Sequence, residues 1–512
     1  MRIATAAKIA AIDRLAEEKG LPKHDLVEPA GEKLAEAIRD EADKRGAKSI
    51  AFLIGPGKNG ADGFVAARRL LEKGYRAIAF LPGGEASLGA VCREKKERYL
   101  AAGGEAKDGA VSAELEKYDL LVDALFGTGL SRDVAGPYAA AIEEMKKAER
   151  PVIAVDLPSG VDTDTGAVRG TAVKADLTVT FTLPKPAHFL ADHLTGRVKV
   201  VDFGIPEEII LSEAPFFEAF GEEEAEKLLV PRDPLSHKGR YGKAVLFVGG
   251  RGYSGAAAMA TGAAVRSGCG LVWSMVPDCV YPIVASAVHE AITLPLENDP
   301  DGAYAESALA DGRMLEAAAG ADAFAIGSGV IPGMTAKKLL ERLLATGRNL
   351  VIDAGALNFL SGGNKDGRGE HIHFEETNLH AGVILTPHRG ELLRIMGGKL
   401  PEEPNDAALA RRLAVDSGAV MVLKGHRTVI ASPDGRVFMN TTGNAGMAKG
   451  GSGDVLAGTI AGLAARMPAF EAAALGVWLC GRAGDLAREE LGENGMTAED
   501  CLKRLPLAAK LF

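Results

Sequence analysis

Asn444-Ala-Gly-Met-Ala-Lys-Gly-Gly-Ser-Gly-Asp-Val-Leu-Ala-Gly458 is a glycine-rich turn that opens straight into a helical pattern. Beyond it Leu456, Ile460, Leu463 and Met467 recur at helical spacing, so Ser452–Met467 reads as a helix whose apolar stripe belongs to a core. Side chains do not shield the N–H groups of Gly450, Gly451, Ser452 and Gly453 closely, and the helix start adds positive potential, which together suit developing phosphoryl charge. Asp454 stands beside that anion hole, where a carboxylate can deprotonate an attacking hydroxyl. A glycine C-cap followed by an Asp N-cap explains one or two of these glycines, not all of them.

Working outward, Ala244–Val248, Leu271–Val276, Ala323–Ile326, Leu350–Asp353, Val383–Thr386 and Val420–Leu423 read as short apolar strands, with a helix over Gly255–Ser267. The first half shows the same alternation: strands at Ser49–Ile54, Arg76–Leu81, Asp119–Leu125, Pro151–Asp156, Asp176–Phe181 and Arg197–Asp202, with a helix over Phe64–Lys73. Such alternation implies crossovers and mainly parallel sheets covered on both faces. Between Ile205 and Gly239 it breaks into prolines, polar residues and the acidic run Glu222–Glu224, which reads as a solvated helix start. The boundary therefore falls near Glu222–Leu235, giving domains 1–222 and 223–512. The expected class is α/β, with two three-layer α/β/α domains.

Composition narrows the function. The chain has 512 residues, 47% hydrophobic and 25% charged, as ordinary soluble proteins do, and 63 glycines, an excess found where backbone approaches ligands closely. A formal charge of -10 argues against sequence-independent nucleic-acid binding. No apolar run is long enough to span a membrane, and the acid-bearing first residues do not resemble a signal peptide. Cys92, Cys269, Cys279, Cys480 and Cys501 are scattered without paired spacing and read as free thiols. A cytoplasmic location and a homo-oligomer are expected.

Three loops of the first half carry chemistry. Gly55-Pro-Gly-Lys-Asn-Gly-Ala-Asp-Gly63 follows a strand and suits phosphate, or else is only a tight strand-to-helix turn. Asp123-Ala-Leu-Phe-Gly-Thr-Gly-Leu-Ser-Arg-Asp133 and Asp156-Leu-Pro-Ser-Gly-Val-Asp-Thr-Asp-Thr-Gly166 each begin with an acid at a strand end. Ligands of open α/β sheets sit beyond those ends. Together the loops can converge on a hard cation and a phosphate-bearing ligand.

With Phe181-Thr-Leu-Pro-Lys-Pro186 after them, these loops resemble the YjeF N-terminal, or NAD(P)H-hydrate epimerase, family over about residues 1–220. The resemblance implies a Rossmann-like domain and a potassium site at Asn59, Asp123 and Ser159. It also implies contact with the hydrated cofactor by Lys58, Asn59, Gly60, Ala61, Asp62, Gly127, Thr128, Gly129, Leu130, Ser131, Arg132, Asp133 and Asp156. The family's first loop commonly carries two Asn and then two Gly; Lys58 and Ala61 replace one of each. Epimerisation acts on a carbon bearing both a hydroxyl and the ring nitrogen, so an acid/base is needed. Asp156 is the candidate, with mere orientation of the ligand as the alternative.

The second half adds His237-Lys-Gly-Arg-Tyr-Gly-Lys243, Val248-Gly-Gly-Arg-Gly-Tyr-Ser-Gly-Ala256, Gly327-Ser-Gly329, Asp353-Ala-Gly-Ala-Leu-Asn358, Leu385-Thr-Pro-His-Arg-Gly-Glu391 and Lys424-Gly-His-Arg-Thr428. In this order, before the glycine-capped helix, they resemble the ADP- or ATP-dependent NAD(P)H-hydrate dehydratases of the ribokinase-like superfamily over roughly 225–512. That resemblance implies a ribokinase-like domain with Ala256, Gly329, His388 and Asp454 against the hydrated nicotinamide, although His388 also reads as a polar turn residue. Lys424, Gly425, His426, Arg427 and Thr428, with Gly450, Gly451, Ser452 and Gly453, would hold the nucleotide and its magnesium. Asp454 would be the base for phosphorylation of the hydroxyl, which then leaves as phosphate. Gly355, Arg389, Lys449 and Ser452 depart from common family residues. Two readings stand: a bifunctional repair enzyme that epimerises the R and S hydrates and dehydrates the S form, or a small-alcohol kinase with a non-catalytic N-terminal domain.

Overall fold

The computed structural model describes residues 1–21, 23–111, 113–360 and 377–510. The chain divides into two compact units, Arg2–Phe216 and, with Met1, the chain from Phe217 onward. The division lies between Phe216 and Phe217 because the strand that follows belongs to the second unit's sheet.

The first unit starts with the two-residue strand β1 (Arg2–Ile3) and is built on β2 (Ser49–Ile54), β3 (Arg76–Leu81), β4 (Glu105–Asp108), β5 (Leu120–Ala124), β6 (Val152–Val155), β7 (Leu177–Phe181) and β8 (Arg197–Val201). The seven strands from β2 to β8 form one parallel sheet in the order β4-β3-β2-β5-β6-β7-β8, whose direction of winding reverses between β2 and β5. Alternation along β2 explains the layering. Ile50, Phe52 and Ile54 join a core with Leu34, Phe64 and Tyr99, whereas Ala51 and Leu53 join one with Ile142 and Met145 on the other face. Glu105–Asp108, with no buried residue, gives no strand signal in the sequence.

The second unit contains β9 (Phe217–Phe220), β10 (Lys243–Phe247), β11 (Leu271–Pro277), β12 (Ile292–Leu296), β13 (Ala323–Ile326), β14 (Asn349–Ile352), β15 (Val383–Leu385), β16 (Val420–Leu423), β17 (Val429–Ala431) and β18 (Val437–Asn440). They run β9-β18-β17-β16-β15-β14-β13-β10-β11-β12, parallel except that β16, β17 and β18 pair antiparallel. Winding reverses between β10 and β13. One face is covered by the helices Ser254–Arg266, Ser452–Ala464, Ala469–Gly495 and Ala498–Ala508 around Ile460, Leu463, Leu475 and Trp478. The α/β class with parallel sheets is as the sequence predicts.

Two helix limits differ from expectation. The helix predicted over Phe64–Lys73 begins at Lys58, inside the glycine-rich stretch. Close approach explains those glycines: a Cβ at Gly60 would lie 2.1 Å from the Gly55 carbonyl oxygen, and one at Gly63 would lie 2.7 Å from the Ala124 Cβ. The helix predicted to reach Met467 stops at Ala464, because Pro468 disfavours helical backbone just before it.

Backbone meets backbone where the helices Ser254–Arg266 and Ser452–Ala464 pack. A Cβ at Gly458 would fall 2.0 Å from the Ala260 carbonyl oxygen. Gly458→Ala is therefore expected to destabilise the protein by about 3 kcal/mol, the upper end of overpacking costs. A melting temperature equal to that of wild type in calorimetry would contradict this.

Candidate active sites

In the first unit the ends of β2, β5 and β6 adjoin, at the place where the winding reverses. A cavity of about 440 Å³ there is lined by Lys58, Asn59, Asp62, Gly127, Asp156 and Lys185, with apolar walls from Ile9, Leu26, Leu125 and Phe203. Asp156 follows β6 in a left-handed backbone conformation, φ 65°, a strain of about 1–3 kcal/mol for a side-chain-bearing residue. Its position is over-determined. Lys185 Nζ and Thr180 Oγ1 donate to Asp156 Oδ1 at 2.6 and 2.9 Å. Lys185 Nζ also donates to Thr180 Oγ1 and the Phe181 carbonyl oxygen. His188 Nδ1 accepts from the Lys185 backbone N–H at 2.9 Å, so Nε2 carries the proton and donates to the Asp156 carbonyl oxygen at 2.8 Å. Burial and the Lys185 charge press His188 down to about 4, which keeps it neutral in that role.

Two carboxyls line this cavity in opposite states. Burial alone would raise Asp156, but the Lys185 ammonium outweighs it and holds the carboxyl below its ordinary range. Asp62 is buried without a cation in salt-bridge reach among the described residues. Burial, reinforced by the Asp156 charge, pushes its carboxyl well above the ordinary range. One group is poised to accept a proton and the other to give one. The sequence motif Phe181–Pro186 contains Lys185 but assigns it no role; its signal is a lysine in the loop directly after a buried strand.

Of the expected potassium ligands, Asp123 and Ser159 touch. Ser159 Oγ and N–H donate to Asp123 at 2.6 and 2.7 Å, and the Phe126 carbonyl oxygen lies 3.3 Å from Ser159 Oγ. Asn59 hydrogen-bonds neither. Its Oδ1 and Asp156 Oδ2 would each lie 3.1 Å from a Cβ at Gly127, and its Nδ2 is buried without a hydrogen bond. Asp123 is 0% exposed, and burial pushes its carboxyl up to about 6 against the hydrogen bonds that favour its charge. A buried carboxylate with only neutral partners, beside hydroxyl and carbonyl oxygens, fits a monovalent cation.

The other expected contacts divide. Lys58, Asn59, Asp62 and Gly127–Leu130 line the cavity, and Lys58 Nζ lies 3.6 Å from Asp13 at its rim. Gly60 and Ala61 are buried and do not line it, because the early helix start turns them toward the sheet. Ser131, Arg132 and Asp133 are exposed and lie outside the lining.

In the second unit the loops after β13, β14, β15 and β16 converge on the start of the helix Ser452–Ala464. Lys424 Nζ donates to Asp353 Oδ1 at 2.9 Å and lies 3.6 Å from Glu391 Oε2. Thr386 Oγ1 donates to the same Asp353 oxygen at 2.7 Å. Burial would lower Lys424, but those two carboxylates raise it above its ordinary value. A Cβ at Gly453 would sit 3.5 Å from Lys424 Nζ, and Gly450 faces open space. Burial and the Asp353 charge push Asp454 up to about 6, opposed by the Ser328 hydroxyl and the Lys424 ammonium. Gly329, at φ 70°, adjoins Ala256: a Cβ there would lie 3.1 Å from the Ala256 Cβ.

His388 caps the helix Arg389–Ile395 through Nδ1, which accepts from the N–H groups of Gly390 and Glu391 at 3.0 and 3.3 Å. That supplies a structural role whether or not Nε2 meets a ligand. Gly425, His426, Arg427 and Thr428 form the tip between β16 and β17, with Thr428 Oγ1 bonded to Gly425 and Arg427 donating to the Thr441 carbonyl oxygen. Ser452 Oγ donates to the Met447 carbonyl oxygen, and Lys449 Nζ to those of Asn494 and Met496. Those side chains brace the loop, in which the Ser452 N–H also donates to the Lys449 carbonyl oxygen at 3.4 Å. A Cβ at Gly355 would lie 2.7 Å from the Val330 carbonyl oxygen, so close approach of the backbone favours glycine here. Sequence reasoning misses Asp353, Thr386, Ser328 and Glu391 as site residues; their polarity at successive strand ends is the available signal.

The family described as NAD(P)H-hydrate dehydratase matches residues 244–507, and the YjeF-related protein N-terminus matches residues 23–187. The bifunctional NAD(P)H-hydrate repair enzyme Nnr of Moorella thermoacetica is 38% identical over 99% of this chain and 96% of its own length. That of Thermofilum pendens is 36% identical over 100% and 96%. The ADP/ATP-dependent NAD(P)H-hydrate dehydratase from Bacillus subtilis, co-crystallised with ATP and Mg2+, is 32% identical over 58% of this chain and 99% of its own, with a TM-score of 0.48.

Proposed function

Because this chain belongs to the family of bifunctional NAD(P)H-hydrate repair enzymes, we propose that its two strand-end clefts divide the repair between them. The epimerase occupies the N-terminal domain (1–222 in the sequence, compact through Phe216), and the ADP- or ATP-dependent dehydratase the remainder, 223–512. The observation that supports this most is the pair of opposed carboxyls, Asp62 and Asp156, lining one cavity.

In the first site the ring nitrogen's electron pair expels the hydroxyl, which leaves as water with the proton of Asp62. Asp156 takes a proton from a water attacking the opposite face, restoring the carbon–oxygen bond with inverted configuration. Lys185 keeps Asp156 ionised and fixes Oδ1, so Oδ2 serves as the base. Potassium would be held by Asp123, Ser159 and Asn59, where it supplies the charge that balances the buried Asp123.

In the second site Asp454 takes the proton of the S hydrate's hydroxyl as it attacks the nucleotide's terminal phosphorus. The N–H groups from Gly450 to Gly453 receive phosphoryl charge. The ring nitrogen's electron pair then expels the phosphate from the carbon it is bonded to, and loss of a proton from the adjacent ring carbon to the departing phosphate restores the dihydropyridine. Among the described residues no cluster of three or more His, Cys, Asp or Glu can hold a metal, and Lys424 already neutralises Asp353 and Glu391. That fits magnesium carried in by the nucleotide's phosphates, where it would neutralise their charge. Among the described residues no helix is long and apolar enough to cross a membrane, and all five cysteines are free; the reading proposed is a cytoplasmic enzyme of small metabolites.

The test is one assay with two readouts. Mixed R and S NADH hydrates are incubated with ADP or ATP in potassium or in choline salts, and dihydropyridine absorbance is followed. Recovery of the S fraction should not depend on potassium, whereas recovery of the R fraction should slow at least tenfold in choline. No recovery with either nucleotide would sink the dehydratase assignment, and equal R recovery in both salts would sink the potassium site.

A further inference from the structure

At the far ends of the two helices that begin at the second active site, Arg232, Arg266 and Arg466 line a separate cavity of about 220 Å³ floored by Leu479 and Leu505. The helix Ser452–Ala464 carries Asp454 in its first turn and Arg466 just past its end. The ten residues from Asp454 to Ala464 span about 15 Å, so this cavity is not the catalytic cleft. The helix Ser254–Arg266 likewise runs from Ala256 to Arg266.

None of the three guanidinium groups pairs with a carboxylate among the described residues, although the chain carries 69 acidic residues against 59 basic ones. Arg232 Nη2 donates to the Gly268 carbonyl oxygen at 2.5 Å, and Arg466 Nη2 to that of Ser267 at 3.4 Å. These bonds satisfy a helix end and use one donor of the five that each guanidinium carries. Arg466 Nε is buried with no hydrogen bond at all. The two groups meet over Gly268, where a Cβ would lie 3.2 Å from Arg232 Nη2 and 3.7 Å from Arg466 Nη2. Arg232 is held there by stacking 4.1 Å from the centre of the Tyr241 ring. Like charges brought together with unused donors are unfavourable unless an anion bridges them. The partial negative charge at two helix ends offsets only part of three full positive charges.

We propose that this cavity is a binding site for a phosphate-bearing anion of diphosphate size, held by Arg232, Arg266 and Arg466. Its ligand clamps together the ends of the two helices whose starts carry Ala256 and Asp454, which are in close backbone contact at Gly458. The anion is either inorganic or part of a small nucleotide, since both present the same oxygens.

The test titrates the full chain with sodium pyrophosphate and with AMP calorimetrically, with ADP saturating the nucleotide site. Arg232→Gln/Arg266→Gln, both exposed positions, is compared with wild type. At least one ligand should bind wild type and bind the double variant about tenfold more weakly or worse, the loss expected for charge-assisted hydrogen bonds. ADP affinity should stay unchanged. The ligand showing that loss identifies the source. In wild type the same ligand should protect Arg232 and Arg466 from phenylglyoxal, mapped by peptide mass, a readout that needs no variant to fold. Binding indifferent to the substitutions with unprotected arginines, or no binding of either ligand at millimolar concentration, overturns the proposal.

Discussion

Asp454→Asn lowers the turnover of S-hydrate dehydration by about 10²–10⁴-fold, the range for loss of a general base, while ADP binds as tightly as before. The amide keeps the shape beside the Gly450–Gly453 N–H groups but cannot take the hydroxyl's proton. The pH profile supplies an independent check. The base works only when ionised, and its carboxyl is pushed up to about 6 by burial and Asp353. Wild-type turnover should therefore fall as pH drops below about 6, roughly tenfold per unit, and level off above it. The variant's residual rate should be flat across that range. A variant within twofold of wild type, or a profile with no acidic limb, removes Asp454 from the mechanism.

Asp156→Ala should slow consumption of the R hydrate by about 10²–10⁴-fold and spare the S hydrate, measured before the epimers equilibrate spontaneously. It should also destabilise the protein by about 3–5 kcal/mol, because Lys185, whose side chain is 2% exposed, loses its counter-ion. Those two effects separate in the double variant Asp156→Ala/Lys185→Met. Removing both charges should recover most of the stability and none of the R-epimer turnover. If restored stability brought back activity, Asp156 would be a positioning residue only. Equal use of both epimers by the single variant would make the first unit a binding domain.

Much of the fold was legible because parallel strands buried on both faces read as continuous apolar runs. Ser49–Ile54, Arg76–Leu81, Ala323–Ile326 and Val420–Leu423 were predicted to the residue. The strands that escaped are of other kinds. Glu105–Asp108 is polar and unburied, Val429–Ala431 is three residues long, and Phe217–Phe220 pairs with Val437–Asn440, more than two hundred residues away. Phe217–Phe220 also explains why the compact units divide before the acidic run: pairing so distant leaves no local pattern. At the sites, the glycine-capped helix and the two strand-end acids Asp123 and Asp156 were visible because loops after parallel strands carry ligands. Lys185, Asp353 and Ser328 were not, since their importance lies in the partners the fold brings to them. Gly60 and Ala61 illustrate the converse: a glycine-rich stretch looks like a loop, yet close packing against Gly55 made it helix.

The antiparallel turn between β16 and β17 stands apart from the parallel crossovers that dominate the second unit. Residues 424–428 are the tip of a hairpin, whereas Asp454 rides on a helix locked into the interior. Insertions or deletions at a hairpin tip leave neighbouring strand registers intact. On the assignment proposed for this loop, descendants of such a protein could therefore trade one phosphate donor for another by altering the tip's length, with the chemistry of the inner helix inherited untouched.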